Sequence, residues 1–517
     1  MAPLLQACGS GSQATSATGK LGTVVIAAPS TPESLDVDVA NGVESFEAQH
    51  NIYDSLTAFP LEAPKDGIAA PNLSTLANVV PSLAEDFSQS KDGKSTSFKL
   101  RQGVISSAGN ELTSADVQFL FQVLIANSKG LRGLIAQVGN LEPRKAIVIK
   151  DSHSFDIASE AASPLLLAAL SLVLASVVDA KAVQSYATSS DPTASKYLTA
   201  HAAGYGPYKI DSLVQGQQAQ FSARSNYWGG VPQARRVVMQ ALPQDANRLA
   251  VLQSGEAQIA TALTPIELQH ARTANNPGNR QLWVAMQCSK PPFNNPEMRL
   301  AMQYATDYDA ILSAVYRGSA TRLYGPLPST YPDDIGQEVN KFQHDPEKAK
   351  QMIAKAGYSK LTLELNYNSD APSTREVALQ LQASWRAVGI ETQINALPAT
   401  QWATNYTTAK FKHLSMFLDQ SNVPDMGYAA QLYFAKGAVA NGGLYDNPKV
   451  NALTKQSLAA VDPNVRSQIA HELQRLLIQE PACVWIAQPG VHYGLGNPIQ
   501  SVGWATDQGM IYSKIAA

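Results

Sequence analysis

Residues 204–230 constrain this chain more than any other stretch. Gly204-Tyr-Gly-Pro207 reads as a tight turn, because glycine tolerates positive φ and proline presets φ. Tyr208, Ile210 and Leu213, then Ala219, Phe221 and Ala223, alternate in the way a half-buried hairpin requires. Asn226-Tyr-Trp-Gly-Gly230 then turns the chain again. The stretch holds no nucleophile, metal cluster or phosphate loop. So well specified a scaffold without reactive groups points to binding rather than catalysis.

Further along, strand and helix periods alternate. Residues 361–366 read as a strand, 376–388 as an amphipathic helix closed by Gly389, and 390–395 as the next strand. That β-α-β order predicts an α/β sheet. A strand is expected over 22–28 and a helix over 45–59, where Phe46, His50, Tyr53 and Leu56 fall near helical spacing. Thr113 or Ser114 caps a further helix with an acidic first turn. Residues 161–178 carry no charge, which raises a membrane helix of about 18 residues. Pro164, Ser171 and Ser176 interrupt the run, and its end is β-branched, so a short buried helix followed by a buried strand fits better.

A chain of 517 residues suits two to four domains (about 100–200 residues each). The net charge of −3, with no dense Lys/Arg run, gives no footprint for nucleic acid. No HExxH, GxSxG, Walker A or GxGxxG pattern occurs, and His153, His413, His471 and His492 do not cluster. No catalytic residue, metal site or cofactor is therefore assigned. Ser88-Gln-Ser-Lys91 fits SxxK only in a turn before a strand.

The cysteines are Cys8, Cys288 and Cys483, with no CxxC. Leu5-Gln6-Ala7-Cys8-Gly9 resembles a bacterial lipobox, which predicts a lipid on Cys8, and the Gly/Ser/Thr-rich residues after it read as a tether. A basic n-region and an apolar h-region are missing before Cys8, so either the start is truncated or the lipobox resemblance is chance. Export would permit a Cys288–Cys483 disulfide; two separate buried thiols in apolar strands is the preferred alternative.

Ordered blocks resemble the family 5 extracytoplasmic solute-binding proteins of ABC transporters, which include oligopeptide, dipeptide and nickel binders. The blocks are Leu83-Ala-Glu85, Asp92-Gly-Lys94, Phe98-Lys-Leu-Arg-Gln-Gly103 and Leu112-Thr-Ser-Ala-Asp-Val117. The 204–230 hairpin, residues 248–259, Pro291-Pro-Phe-Asn-Asn-Pro296 with its following helix, residues 344–358 and Tyr445-Asp-Asn-Pro448 follow in order. Val104, Gln258 and Tyr308 depart from the family's usual residues.

The resemblance implies an α/β, two-lobed periplasmic-binding-protein clamp (class II-like, cluster C) with an extra domain inserted in lobe 1. On that template residues 1–20 are the lipobox remnant and tether. Residues 21–52, 175–285 and 486–517 form lobe 1, 53–174 the inserted domain and 286–485 lobe 2. The hinge crossings fall near 283–288 and 483–487. The implied role is capture of a solute, foremost an oligopeptide, for an ABC importer. The implied setting is the periplasm or the outer face of the cytoplasmic membrane, as a monomer whose membrane contact is the lipid on Cys8. An opine-like amino-acid conjugate, an oligosaccharide or other polyol, a cationic solute and a metal chelate remain open as ligands, and a hydrolase on the same clamp as a rival class.

Peptide binders of the family hold the ligand ammonium with an Asp before a Pro in lobe 2. Aligning Pro424 places Gln420 there, with Asp419 one residue earlier, Phe417 at the family's Trp position, and Asn422 following. Dipeptide binders hold the ligand carboxylate with an Arg and a Tyr; counting back from Trp385 lands on Asn368 and Asp370. Loss of that Arg removes a bidentate carboxylate partner. Asn41 and Glu44 after the first strand, Tyr205 in the Gly-Pro turn, and Trp402 and Tyr406 complete the candidate contacts. Core packing is the competing reading for the aromatics, a surface charge for Glu44.

Overall fold

The computed structural model describes residues 21–39, 42–126, 132–371 and 373–517. The tether, Cys8 and Asn41 lie outside the described residues.

Two sheets organise the chain. In the seven-stranded sheet the order is Thr273–Asn276, Val491–Leu495, Ile259–Ala260, Thr23–Ala28, Arg236–Ala241, Gln218–Ala223 and Tyr208–Val214. Thr23–Ala28 runs parallel to both its neighbours, and its Val24, Ile26 and Ala27 are fully buried, as a central strand covered on both faces requires. The hairpin expected from residues 204–230 closes one edge, antiparallel as read. In the six-stranded sheet the order is Ala320–Arg322, Cys483–Pro489, Arg280–Met286, Leu414–Gln420, Leu361–Asn368 and Ile390–Leu397. The expected β-α-β unit is there: Leu361–Asn368 and Ile390–Leu397 pair in parallel, joined by helix Thr374–Arg386, with Gly389 at φ 89° after it.

The chain changes sheets at residues 277–279 and at Gly490. Both crossings therefore lie outside the expected 283–288 and 483–487, because strands Arg280–Met286 and Cys483–Pro489 pair with each other inside the second sheet. The lobe boundary at 285/286 falls at the end of a continuous strand rather than at the hinge. Asn279 fastens the first crossing. Its fully buried carboxamide donates to Ser421 O (3.1 Å) on the second-sheet side and to Thr506 O (2.9 Å) near the C-terminal strands. Gln508 Nε2 donates back to Asn279 Oδ1 at 2.6 Å.

The inserted segment builds a four-stranded sheet in the order Ala84–Gln89, Ser95–Leu100, Ser154–Ala158, Ile147–Asp151, against which helix Ser114–Ala126 contributes buried Val117, Leu120 and Phe121. Ile68–Ala69 pairs in parallel with Ser501–Trp504, and one apolar core runs through the insert and the first lobe. The aromatic turn after the hairpin works as a fastener here. Trp228 Nε1 donates to Asp54 Oδ2 at 2.8 Å, and the Arg101 guanidinium lies over the Trp228 ring at 4.5 Å.

Three local expectations change. The helix of 45–59 is shorter, Val43–Ile52, since Tyr53 is extended and Asp54 pairs with Val177. Residues 161–178 give helix Leu166–Ala169 and one tight turn, Val173–Ala175, but no strand, because Val177 and Val178 bridge different neighbours, Asp54 and Gly204. Among the described residues no helix is long and apolar enough to cross a membrane. Gly204 and Gly206 are required for close approach rather than for positive φ: a Cβ on Gly204 would lie 1.9 Å from Ile52 O, and one on Gly206 2.6 Å from Ile52 C. Cys288 and Cys483 are both free thiols.

Helix Val43–Ile52 is stitched to the C-terminal strand Met510–Ala516 by buried polar groups. Glu47 accepts from Tyr512 Oη at 2.8 Å and from Met510 N at 3.2 Å, and Asn51 exchanges bonds with Met510 O (2.7 Å) and Tyr512 N (2.8 Å). Burial pushes the Glu47 carboxyl from 4.5 up to about 8. A carboxyl raised on folding favours the folded state fully below 4.5 and loses that contribution as pH rises through 8. Glu47→Gln should therefore flatten the fall in Tm between pH values spanning that window; an unchanged pH profile would show that Glu47 titrates as it does in the unfolded chain. Gly204→Ala should lower stability by about 2–4 kcal/mol in urea denaturation.

Candidate ligand-binding cleft

Strands Leu361–Asn368 and Leu414–Gln420 run parallel, with Asn366 opposite Ser415. Asn368, Asp370, Phe417, Asp419, Gln420 and Asn422 therefore lie at one end of the second sheet, the carboxyl end, where α/β sheets present their binding crevices.

Asp419 is half-buried at that end. Its Oδ2 accepts from Tyr433 Oη at 3.1 Å. Burial pushes the carboxyl from 3.8 up to about 6, against the hydrogen bonds from Gln420 N and Tyr433 and the attraction of Arg280. From the other lobe comes Glu44, in the first turn of helix Val43–Ile52, also raised by burial and also drawn down by Arg280. Arg280 opens the strand that follows the first crossing. Burial depresses its guanidinium, while Asp419, Tyr316, Glu44 and Tyr493 act in the opposite sense. Carboxylates from both lobes thus act electrostatically on one cation beside the hinge, though neither pairs with it directly.

Behind Asp419 stands an aromatic wall. Phe417 stacks on Tyr406 with centroids 4.4 Å apart, and Trp283 lies 5.0 Å from both Phe417 and Tyr433. Trp402 lies 5.5 Å from Phe417 and is anchored by Nε1 to Met416 O at 3.1 Å. Phe417 and Tyr406 are buried, so they shape the floor, while Trp402 remains partly exposed. Asn422 keeps a buried Oδ1 without a partner.

The other expected residues are placed differently. Asn368 and Asp370 build their own loop: Asn368 Oδ1 accepts from Asp370 N at 3.0 Å, and Asp370 Oδ2 caps Ala399 N, at the start of helix Ala399–Thr407, at 3.0 Å. Asp370 is exposed. Tyr205 is wholly buried, and its charged neighbours are Asp116, Asp179 and Arg224 rather than Glu44 or Asp419. Its phenol is held far above its usual range by burial. Residue-by-residue reading missed Arg280, Tyr433 and Tyr493. A signal existed for the first: Asn279-Arg280-Gln281 is a polar entry into an otherwise apolar strand.

Comparison with known proteins places this geometry. Residues 78–441, well over half the chain, match the profile of bacterial extracellular solute-binding proteins, family 5 Middle. Heme-binding protein A of Haemophilus influenzae is 26% identical over 439 residues, covering 79% of each chain. The dipeptide-binding protein of Escherichia coli is 25% identical over 403 residues, covering 72% of this chain and 71% of its own. Among solved structures, an ABC transporter-associated periplasmic binding protein of Helicobacter pylori in complex with the peptide STSA superposes with a TM-score of 0.84 at 20% identity, over 96% of this chain and 98% of that one. The fold is the two-lobed α/β clamp that the resemblance implied. The chain belongs to the bacterial extracellular solute-binding proteins, family 5.

Proposed function

We propose that the protein takes a peptide-like solute, foremost an oligopeptide, between its lobes and hands it to the permease of an ABC importer, without chemical turnover. The observation that carries this reading is Asp419, presented at the carboxyl end of the sheet and oriented by Tyr433, with Glu44 of the other lobe interacting with the same Arg280. An ammonium group entering beside such a carboxylate regains the hydrogen bonds and charge that it loses with water. The partly exposed Trp402, backed by buried Phe417 and Tyr406, offers an apolar surface to the side chain next to that ammonium. Gln420 and Asn422 supply amide groups to the ligand backbone; the unpartnered Oδ1 of Asn422 suits an N–H donor. Named relatives include dipeptide-, glutathione- and heme-binding proteins, so the clamp itself accommodates diverse cargo.

A second reading, a cationic or uncharged solute, is favoured by the Asn368–Asp370 loop. It offers no cation to a distant ligand carboxylate, and Arg375 beyond it is 72% exposed and pairs with Glu376 at 3.9 Å. Export to the outer side of the cytoplasmic membrane, with a lipid on Cys8, completes the proposal.

Calorimetry with trialanine and with its N-acetyl derivative tests the ammonium site. Only the free amine should bind, stoichiometrically and without cleavage, and Asp419→Asn should weaken it by more than about tenfold. The site needs an ionised Asp419, so affinity should fall as pH drops through 6. Equal binding of both peptides, or release of cleaved product, would sink the reading. Mass spectrometry of the membrane-bound protein should find acyl chains on Cys8 and none after Cys8→Ser.

A further inference from the structure

The buried arginines of this protein each have a protein partner for the guanidinium. Arg248 spends its guanidinium on the carbonyls of Leu242, Pro243, Thr261 and Ala262 at 2.6–3.0 Å. Arg299 donates to Pro481 O and Phe293 O, both at 2.8 Å, and Arg132 pairs with Asp38 at 2.8 Å. Arg224 reaches Gly206 O at 2.8 Å and Ile105 O. Even Arg322, whose Nη2 lacks a partner, lies over the Tyr308 ring. Arg280 has none of this: its Nε is buried without an acceptor, and no described residue accepts a hydrogen bond or ion pair from its guanidinium. A half-buried guanidinium with no protein acceptor on its donor fork is an unfilled oxyanion site.

Its place defines what would fill it. Arg280 sits at the first residue of the strand after the crossing, and its Cα partner across the ladder is Gln420, the neighbour of Asp419. Glu44 and Tyr493 approach from the first lobe, Tyr316 and Asp419 from the second. A lone anion would meet repulsion from Glu44 and Asp419. An anion carried beside an ammonium would not, because the ammonium neutralises the carboxylates while the anion takes the fork. Resting on the ammonium site described above, we propose that Arg280 binds a carboxylate located on the same residue as the ligand's ammonium, so that the cleft prefers peptides opening with Asp or Glu, or amino-acid conjugates with an equivalent acidic head. The absent cation at Asn368–Asp370 agrees with this, since the ligand's acidic group is then met at the crossing rather than in that loop.

The test is calorimetry of the full chain with Asp-Ala-Ala, Asn-Ala-Ala and trialanine. Wild type should prefer Asp-Ala-Ala over Asn-Ala-Ala by at least about tenfold, the scale of a charge-assisted hydrogen bond. Arg280→Gln should abolish that preference, and Arg280→Lys should restore part of it without the bidentate geometry. Thermal melting of ligand-free Arg280→Gln should match wild type, which separates recognition from folding. The proposal is overturned if wild type binds the Asp and Asn peptides equally, if the preference survives in Arg280→Gln, or if none of the three peptides binds. Should Arg280→Gln fail to fold, the wild-type comparison alone decides. Trialanine binding that depends on Asp419 but is matched by Asp-Ala-Ala would leave the solute-binding reading standing and remove Arg280 from recognition.

Discussion

The carboxamide of Asn279 joins what the two sheets would otherwise leave separate. It has one acceptor and two donor hydrogens, and it engages the second lobe through Ser421 O and the C-terminal segment through Thr506 O and Gln508. With the side chain fully buried, each of these bonds lies out of reach of water, so leaving one unmade is expensive. Arg280 follows it directly, and Ser421 follows the Asp419–Gln420 pair. The residues that would sense ligand are thus covalent neighbours of the residues that hold the crossing. Opening and closing of the lobes and occupancy of the cleft then bias one equilibrium rather than two.

Local signals with short-range causes were readable from sequence. The alternating hairpin after Pro207 forms as written, and so does the β-α-β unit closed by Gly389. What failed had long-range causes. The strand expected before Val178 needed one partner along its length, and the fold gives Val177 and Val178 two different ones. The hinge was misplaced because strand pairing between Arg280–Met286 and Cys483–Pro489 is invisible in either segment alone. The glycines were recognised for the wrong reason: their constraint is the carbonyl of Ile52, far away in sequence.

The candidate site shows the same division. Asp419 and Phe417 share one strand and were candidates from sequence; Tyr433 and Arg280 come near Asp419 from other elements and were not. Tyr205 illustrates the converse. Its position in a conspicuous turn suggested a ligand contact, yet the turn packs against the end of helix Val43–Ile52 and carries the ring into the core. Conspicuous sequence here marks where backbone segments touch, whereas the proposed recognition groups are ordinary polar residues at strand ends.

The bonds that stitch helix Val43–Ile52 to the strand Met510–Ala516 join residues 459 to 465 positions apart. The first lobe is assembled from the opening and the closing segments of the chain, with the whole second lobe threaded between them. The partners of Glu47 and Asn51 are therefore made only after the whole second lobe, and the first lobe cannot close until a loop of that length has been brought together, which slows its assembly.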